Sequence, residues 1–122
     1  MFDHIGISVS NLEKSKAFYA AALNPLGIAI KMEFEGEVVG FGKERPMFWV
    51  SEGKPGQTHV AFAAANKDVV DAFYAEAIHA GGKDNGKPEY QKDYSPGYYA
   101  AFAYDLDGNN IEAVFHDPSL IK

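Results

Sequence analysis

Two histidines 55 positions apart, His4 and His59, and one late carboxylate, Glu112, are the side chains here best suited to chemistry. Two neutral imidazoles and a carboxylate form a good donor set for a divalent ion such as zinc, manganese, nickel or iron. Such an ion would act as a Lewis acid on a bound oxygen. The chain has no cysteine, so disulfides, thiolate ligands and cysteine nucleophiles are all excluded. Whether the three side chains work together depends on the elements that carry them and on the faces those elements present.

The elements come in two copies. Shifted by 55 positions, Asp3–Gly27 lies over Thr58–Gly82 without a gap. Identical pairs fall at His4/His59, Asn11/Asn66, Ala17/Ala72, Phe18/Phe73, Tyr19/Tyr74, Ala20/Ala75, Ala22/Ala77 and Gly27/Gly82. In each copy a period of two comes first: Ile5, Ile7 and Val9, then Val60 and Phe62, the pattern of a strand with two unlike faces. Asn11 and Asn66 are placed to cap helices. The first helix carries Leu12, Ser15, Tyr19, Ala22 and Leu23 on one side, the second Val70, Phe73, Tyr74 and Ala77. Asn24, Pro25 and Gly27 end the first helix, and Gly81 and Gly82 the second.

Strand-like segments follow each helix: Ala29–Phe34, Val38–Gly42 and Met47–Ser51, then Gly86–Tyr90, Tyr98–Tyr104 and Asn110–His116. Asp107-Gly108 is a strong turn signal between the last two. The expected fold is α+β: two tandem β-α-β-β-β modules forming an open eight-stranded cup. They make a single domain over 1–122, with module one at about 1–54 and module two at about 55–122.

In this frame each helix covers the face that carries Ile5, Ile7 and Val9, or Val60 and Phe62, and in the last strand Ile111, Ala113 and Phe115. His4, His59 and Glu112 then look the other way, into the cup. Duplication alone would also leave the same histidine in both copies, so a metal site and a pair of ordinary hydrogen-bonded histidines both stand at this point. By the repeat, Phe48 and Val50 are expected on the side of Glu112, and Tyr98 and Phe102 on a common face of the preceding strand. The loop Lys92–Tyr99 is expected at the rim. No side chain is singled out as a general base: Tyr94, Tyr98, Lys92 and a metal-bound hydroxide have equal standing.

Bulk properties narrow the partners. Of the 122 residues, 47% are hydrophobic and 23% charged, a globular balance. A net charge of −6 with no basic stripe argues against nucleic acid. The absence of a long apolar stretch argues against a membrane span. With no basic leader seen, the expected location is cytoplasmic.

The chain resembles the vicinal oxygen chelate superfamily, the glyoxalase, bleomycin-resistance and extradiol dioxygenase group. The resemblance rests on the paired modules, on Asp3-His4-Ile5-Gly6-Ile7-Ser8-Val9 with Ser15-Lys16-Ala17-Phe18-Tyr19, and on Asp105-Leu106-Asp107-Gly108-Asn109-Asn110-Ile111-Glu112. It implies metal ligands at His4, His59 and Glu112, with Phe48 at the place of a fourth. This departs from the four-ligand glyoxalase I pattern and is closer to the three-ligand fosfomycin-resistance transferases. Against a transferase, Phe102 stands where a hydroxyl is expected, and Arg45 and Lys92 are the cations available for a phosphonate. The resemblance thus implies a small metal-dependent enzyme, a lyase, isomerase or related type, working as a homodimer on an oxygen-chelating small molecule. The alternative is a metal-free ligand-sequestering protein of the bleomycin-resistance type.

Overall fold

Residues 2–120 are described by a computed structural model. Ten elements follow in order: β1 (Ile5–Val9), α1 (Leu12–Leu23), β2 (Ala29–Phe34), β3 (Val38–Gly42), β4 (Phe48–Glu52), β5 (His59–Ala63), α2 (Lys67–His79), β6 (Lys83–Tyr90), β7 (Tyr98–Tyr104) and β8 (Asn110–His116). Each half is β-α-β-β-β and the fold is α+β, as expected. Asn11 accepts from the Lys14 N–H and Asn66 from the Val69 N–H, each at 3.0 Å, so both helices start at their predicted caps. β6 begins three residues before its sequence signal. Its opening Lys-Asp-Asn-Gly has no apolar alternation, and the ladder to β7 slips on either side of Gly86.

The eight strands form two separate four-stranded sheets, ordered β1-β4-β3-β2 and β5-β8-β7-β6. β1 pairs parallel with β4, and β5 with β8; the other pairings are antiparallel. The helix-facing rows of both sheets share one core: Ile7, Val39, Phe41, Phe48 and Val50 from one, Val60, Ala101, Ile111 and Ala113 from the other. Phe48 meets Phe62 edge-on at 5.3 Å, which joins the two sheets directly. The opposite face of each sheet is open. It carries Gly6, Ser8, Trp49 and Met32 in the first sheet, and Ala61, Ala63, Tyr98 and Phe102 in the second.

The turn between β7 and β8 ties the halves together. The buried carboxylate of Asp105 accepts from the N–H groups of Asp107 and Asn109 on one oxygen, at 2.9 and 2.8 Å. Its other oxygen accepts from Asn109 Nδ2 at 2.8 Å and from the Tyr19 hydroxyl of α1 at 2.5 Å. Burial first, and then the Asp105 charge, push the Tyr19 hydroxyl far above its ordinary value, so it remains a donor. Asn109 Oδ1 accepts from the Thr58 N–H at 3.0 Å just before β5, and Asp107 accepts from the Ser10 N–H just before α1. Among the described residues no buried side-chain polar atom lacks a partner. Asp105→Ala strands several buried donors at once and is expected to cost about 3 kcal/mol or more, read from the urea midpoint.

On the far side of the second sheet, the Lys67 ammonium sits 4.8 Å from the ring centres of both Tyr90 and Tyr99. The Tyr99 hydroxyl donates to Asp71 at 2.7 Å. Burial, and next that hydrogen bond, push its pKa up to about 12. A neutral tyrosine is thus favoured in the native state, while the unfolded side chain ionises near pH 10. The stabilisation is complete below about pH 10 and is lost as pH rises toward about 12. Urea midpoints should fall across that window, and Tyr99→Phe should make the fall shallower.

Candidate functional site

Among the described residues, the open face of the second sheet contains the one buried carboxylate that does not serve a turn. Glu112 lies in the middle of β8 and is 2% exposed, although it points away from the helices. Register explains the shelter. Phe102 stands directly opposite Glu112 on β7, Ala61 directly opposite on β5, and Tyr98 four residues from Phe102 on the same face, opposite His116. Small Ala61 leaves room for the imidazole of His59 to lean in from the strand start, where it stacks against Phe102 at 6.5 Å. Tyr94 and His116 each meet the Tyr98 ring edge-on at 5.1 Å and hold it over the carboxylate.

Both oxygens of Glu112 are engaged. The Tyr98 hydroxyl donates to Oε2 in a short hydrogen bond. Burial, and then this bond, push that hydroxyl well above the usual tyrosine value. Tyr98 therefore keeps its proton and is a donor to Glu112, which removes it from the candidate bases. Oε1 lies 3.1 Å from Nε2 of His59, and the ring's Nδ1 lies 3.0 Å from the carbonyl oxygen of Asn110. A hydrogen bond to that carbonyl puts the imidazole proton on Nδ1 and leaves the Nε2 lone pair facing the carboxylate. Two lone pairs at this distance call for a positive charge between or beside them, a proton or a cation.

A divalent ion fits the pair. Separation by 3.1 Å matches two adjacent ligand positions on an ion with bonds of about 2.1 Å. The carbonyl behind Nδ1 and the hydroxyl behind Oε2 are the outer partners that orient metal-binding histidines and carboxylates.

The remaining site residues named from sequence lie elsewhere. His4 is exposed on the open face of the first sheet, with Nδ1 2.8 Å from Asp3, and Arg45 Nη2 lies 3.3 Å from the same carboxylate. The hydrogen bond from His4, and then the Arg45 charge, hold the Asp3 carboxyl below its usual value. Among the described residues no three His, Asp or Glu side chains converge, so one chain brings His59 and Glu112 together without His4. Lys92 is exposed in the β6–β7 loop, beside Pro96, Gly97 and Leu120. Phe102 and Tyr98 are on the expected face.

Phe48 and Val50 are not. Ile5 pairs with Phe48 as Val60 pairs with Ile111, and Gly6 pairs with Trp49 as Ala61 pairs with Glu112. The counterpart of Glu112 is thus Trp49, and Phe48 and Val50 belong to the helix-facing row. Phe48 packs on Tyr19 and Phe41, and Val50 is wholly buried. The signal was present in the sequence: Phe48 and Val50 form an apolar row with period two, just as Ile111 and Ala113 do. The indole of Trp49 lies across Gly40, where a Cβ would come within 2.8 Å of the ring. An indole supplies no metal ligand there.

Sequence comparison agrees with this architecture. The sequence model of the Glyoxalase/Bleomycin resistance protein/Dioxygenase superfamily matches residues 1–113. The chain belongs to that superfamily. A glyoxalase/bleomycin resistance protein from Albidiferax ferrireducens T118 has a crystal structure that superposes with a TM-score of 0.81 at 29% identity, over 94% of this chain and 98% of that one. Lactoylglutathione lyase from Agrobacterium tumefaciens superposes at 0.70 with 19% identity, over 94% and 92%. TioX from Micromonospora sp. ML1 superposes at 0.72 with 12% identity, over 95% and 98%. The last two likenesses concern the fold alone. No protein of curated function matches the sequence. No helix of the described residues is long and apolar enough to cross a membrane.

Tyr98→Phe leaves Glu112 Oε2 buried without its donor. The substitution is expected to cost about 1–3 kcal/mol in urea denaturation despite keeping the ring.

Proposed function

We propose that this superfamily member is a small metal-dependent enzyme of the glyoxalase-like type, acting on an oxygen-chelating small molecule as a lyase, isomerase or related catalyst. The observation that carries the reading is the facing pair of His59 Nε2 and Glu112 Oε1, each backed by its own hydrogen bond. A divalent ion held there would polarise a substrate oxygen and stabilise negative charge forming on it. The chain's own part is positioning. Asn110 fixes the imidazole tautomer, Tyr98 holds the carboxylate, Phe102 stacks beside the imidazole and Tyr94 steadies the Tyr98 ring.

His4 is the third ligand in this reading and comes from a second copy of the chain. The open face of the first sheet would then lie against the open face of the partner's second sheet. Met32 and Phe34, exposed on that first-sheet face, are apolar surface that such pairing would cover.

The test is metal content per chain, by elemental mass spectrometry of protein purified without chelator, together with its mass in solution. About one ion per chain in a dimer is expected, lost in His59→Ala and in Glu112→Gln. Mixing equal amounts of His4→Ala and His59→Ala chains should restore about a quarter of the capacity, because about half of the dimers are then mixed and one of the two sites in each is whole. No metal after supplementation with zinc, manganese, nickel or iron would overturn the reading.

Trp49 favours a second reading. An indole at the place that corresponds to Glu112 suits stacking of a planar ligand in a metal-free sequestering protein. Ligand affinity indifferent to a strong chelator would select it.

A further inference from the structure

A cavity lies between the two modules, and its lining includes His4 and Ile5 from the first and Ala61 and Ala63 from the second. It holds about 370 Å³, and its large apolar wall residues include Ile28, Phe41, Phe48, Val60 and Phe62. Apart from Ile28, in the connection before β2, these wall residues belong to the helix-facing rows of the two sheets, and no residue of either helix lines the space. It therefore opens between the sheets at an end that α1 and α2 do not fill. Its volume is in the range of small-ligand pockets, and its lining is largely apolar.

The mouth has a defined chemistry. Phe2 is 82% exposed there and Met47 45%, a pair of large apolar side chains standing at the lip of an apolar hollow. Beside them are Asp3, His4 and Lys43. The Asp3 carboxylate is already met by His4 and Arg45. Among the described residues the Lys43 ammonium has no carboxylate or carbonyl partner, and its stem lies beside Gly27 at the same rim. One unanswered cation at the edge of an apolar cavity calls for an amphiphile with an apolar body and one negative charge.

We propose that this cavity is a binding site for a medium-chain or aryl monocarboxylate, with the tail between Phe41, Phe48, Val60 and Phe62 and the carboxylate at Lys43. At about 30 Å³ per water-sized group, the space takes a chain of roughly eight to twelve carbons. His4 lines this cavity as well as serving the metal reading, but the apolar walls and Lys43 that hold the ligand are no part of that reading.

Decanoate is the probe, titrated into the full chain by calorimetry, with decanol as the uncharged control. The expected result is one site per chain, with decanol several-fold weaker. Lys43→Glu is at the exposed rim and should weaken decanoate by roughly fivefold or more while leaving decanol unchanged. Val60→Phe fills the cavity and should abolish binding of both; its circular dichroism reports whether the fold is retained, and Lys43→Glu carries the test if it is not. Glu112→Gln should bind decanoate as the unaltered chain does. Absence of binding to the unaltered chain overturns the proposal. So does binding that is insensitive to Lys43→Glu, or binding lost in Glu112→Gln. A dimer that binds no decanoate would show instead that a second copy closes the mouth.

Discussion

The buried carboxylate of Asp105 is the point on which the two halves depend. It lies in a turn, yet it reaches across the molecule to the Tyr19 hydroxyl in the helix of the other module. A buried anion is tolerated only when its lone pairs are met, and here four donors meet them. Through Asn109 and Asp107 the same turn also holds the residues before β5 and before α1. β8 leaves this turn and β5 runs beside it, so the relative placement of Glu112 and His59 follows from how the turn is held. The Asp-x-Asp-Gly-Asn signature is thus structural: it orders a site it does not enter.

The divergence of the two copies follows from the same economy of contacts. Tyr19 and Tyr74 are repeat partners, but Tyr19 is wholly buried on Asp105 while Tyr74 donates to Asp84 near the surface. His4 and His59 are likewise partners. His59 leans over the small Ala61 toward a buried carboxylate, whereas His4 finds only Asp3, since Trp49 and not a carboxylate stands across from Gly6. One ancestral unit has therefore yielded one face with a polar centre and one face with an aromatic surface. Facing such surfaces against each other is a way to build a site from unlike halves.

The open face around Glu112 also shows how a carboxylate can be buried on the solvent side of a sheet. No helix covers it. Cover comes from side chains of the same sheet: Phe102 beside it, Tyr98 above it and His59 leaning in from the adjacent strand. Phe102 is a register neighbour of Glu112, while Tyr98 reaches back from the pair with His116 and is held by Tyr94 of the preceding loop.

Much of this was legible in the chain itself. Period-two and helical apolar patterns, Asn caps and glycine stops are local signals, and they placed both helices and most strands within a residue or two. β6 escaped because its first half is polar and irregular at Gly86. The outward direction of His4, His59 and Glu112 also followed from alternation. Phe48 takes the face opposite to the expected one, because the second part of the repeat carries gaps and a shift of one residue reverses every side chain of a strand. Sequence by itself thus determined the modules, their order and the face each candidate ligand takes. Only tertiary structure decided which of those faces meet: the helix-facing rows share one core, so the open faces are turned outward and His4 is left apart from His59 and Glu112. That outcome depends on long-range contacts such as Phe48 with Phe62 and Tyr19 with Asp105, which no local periodicity encodes.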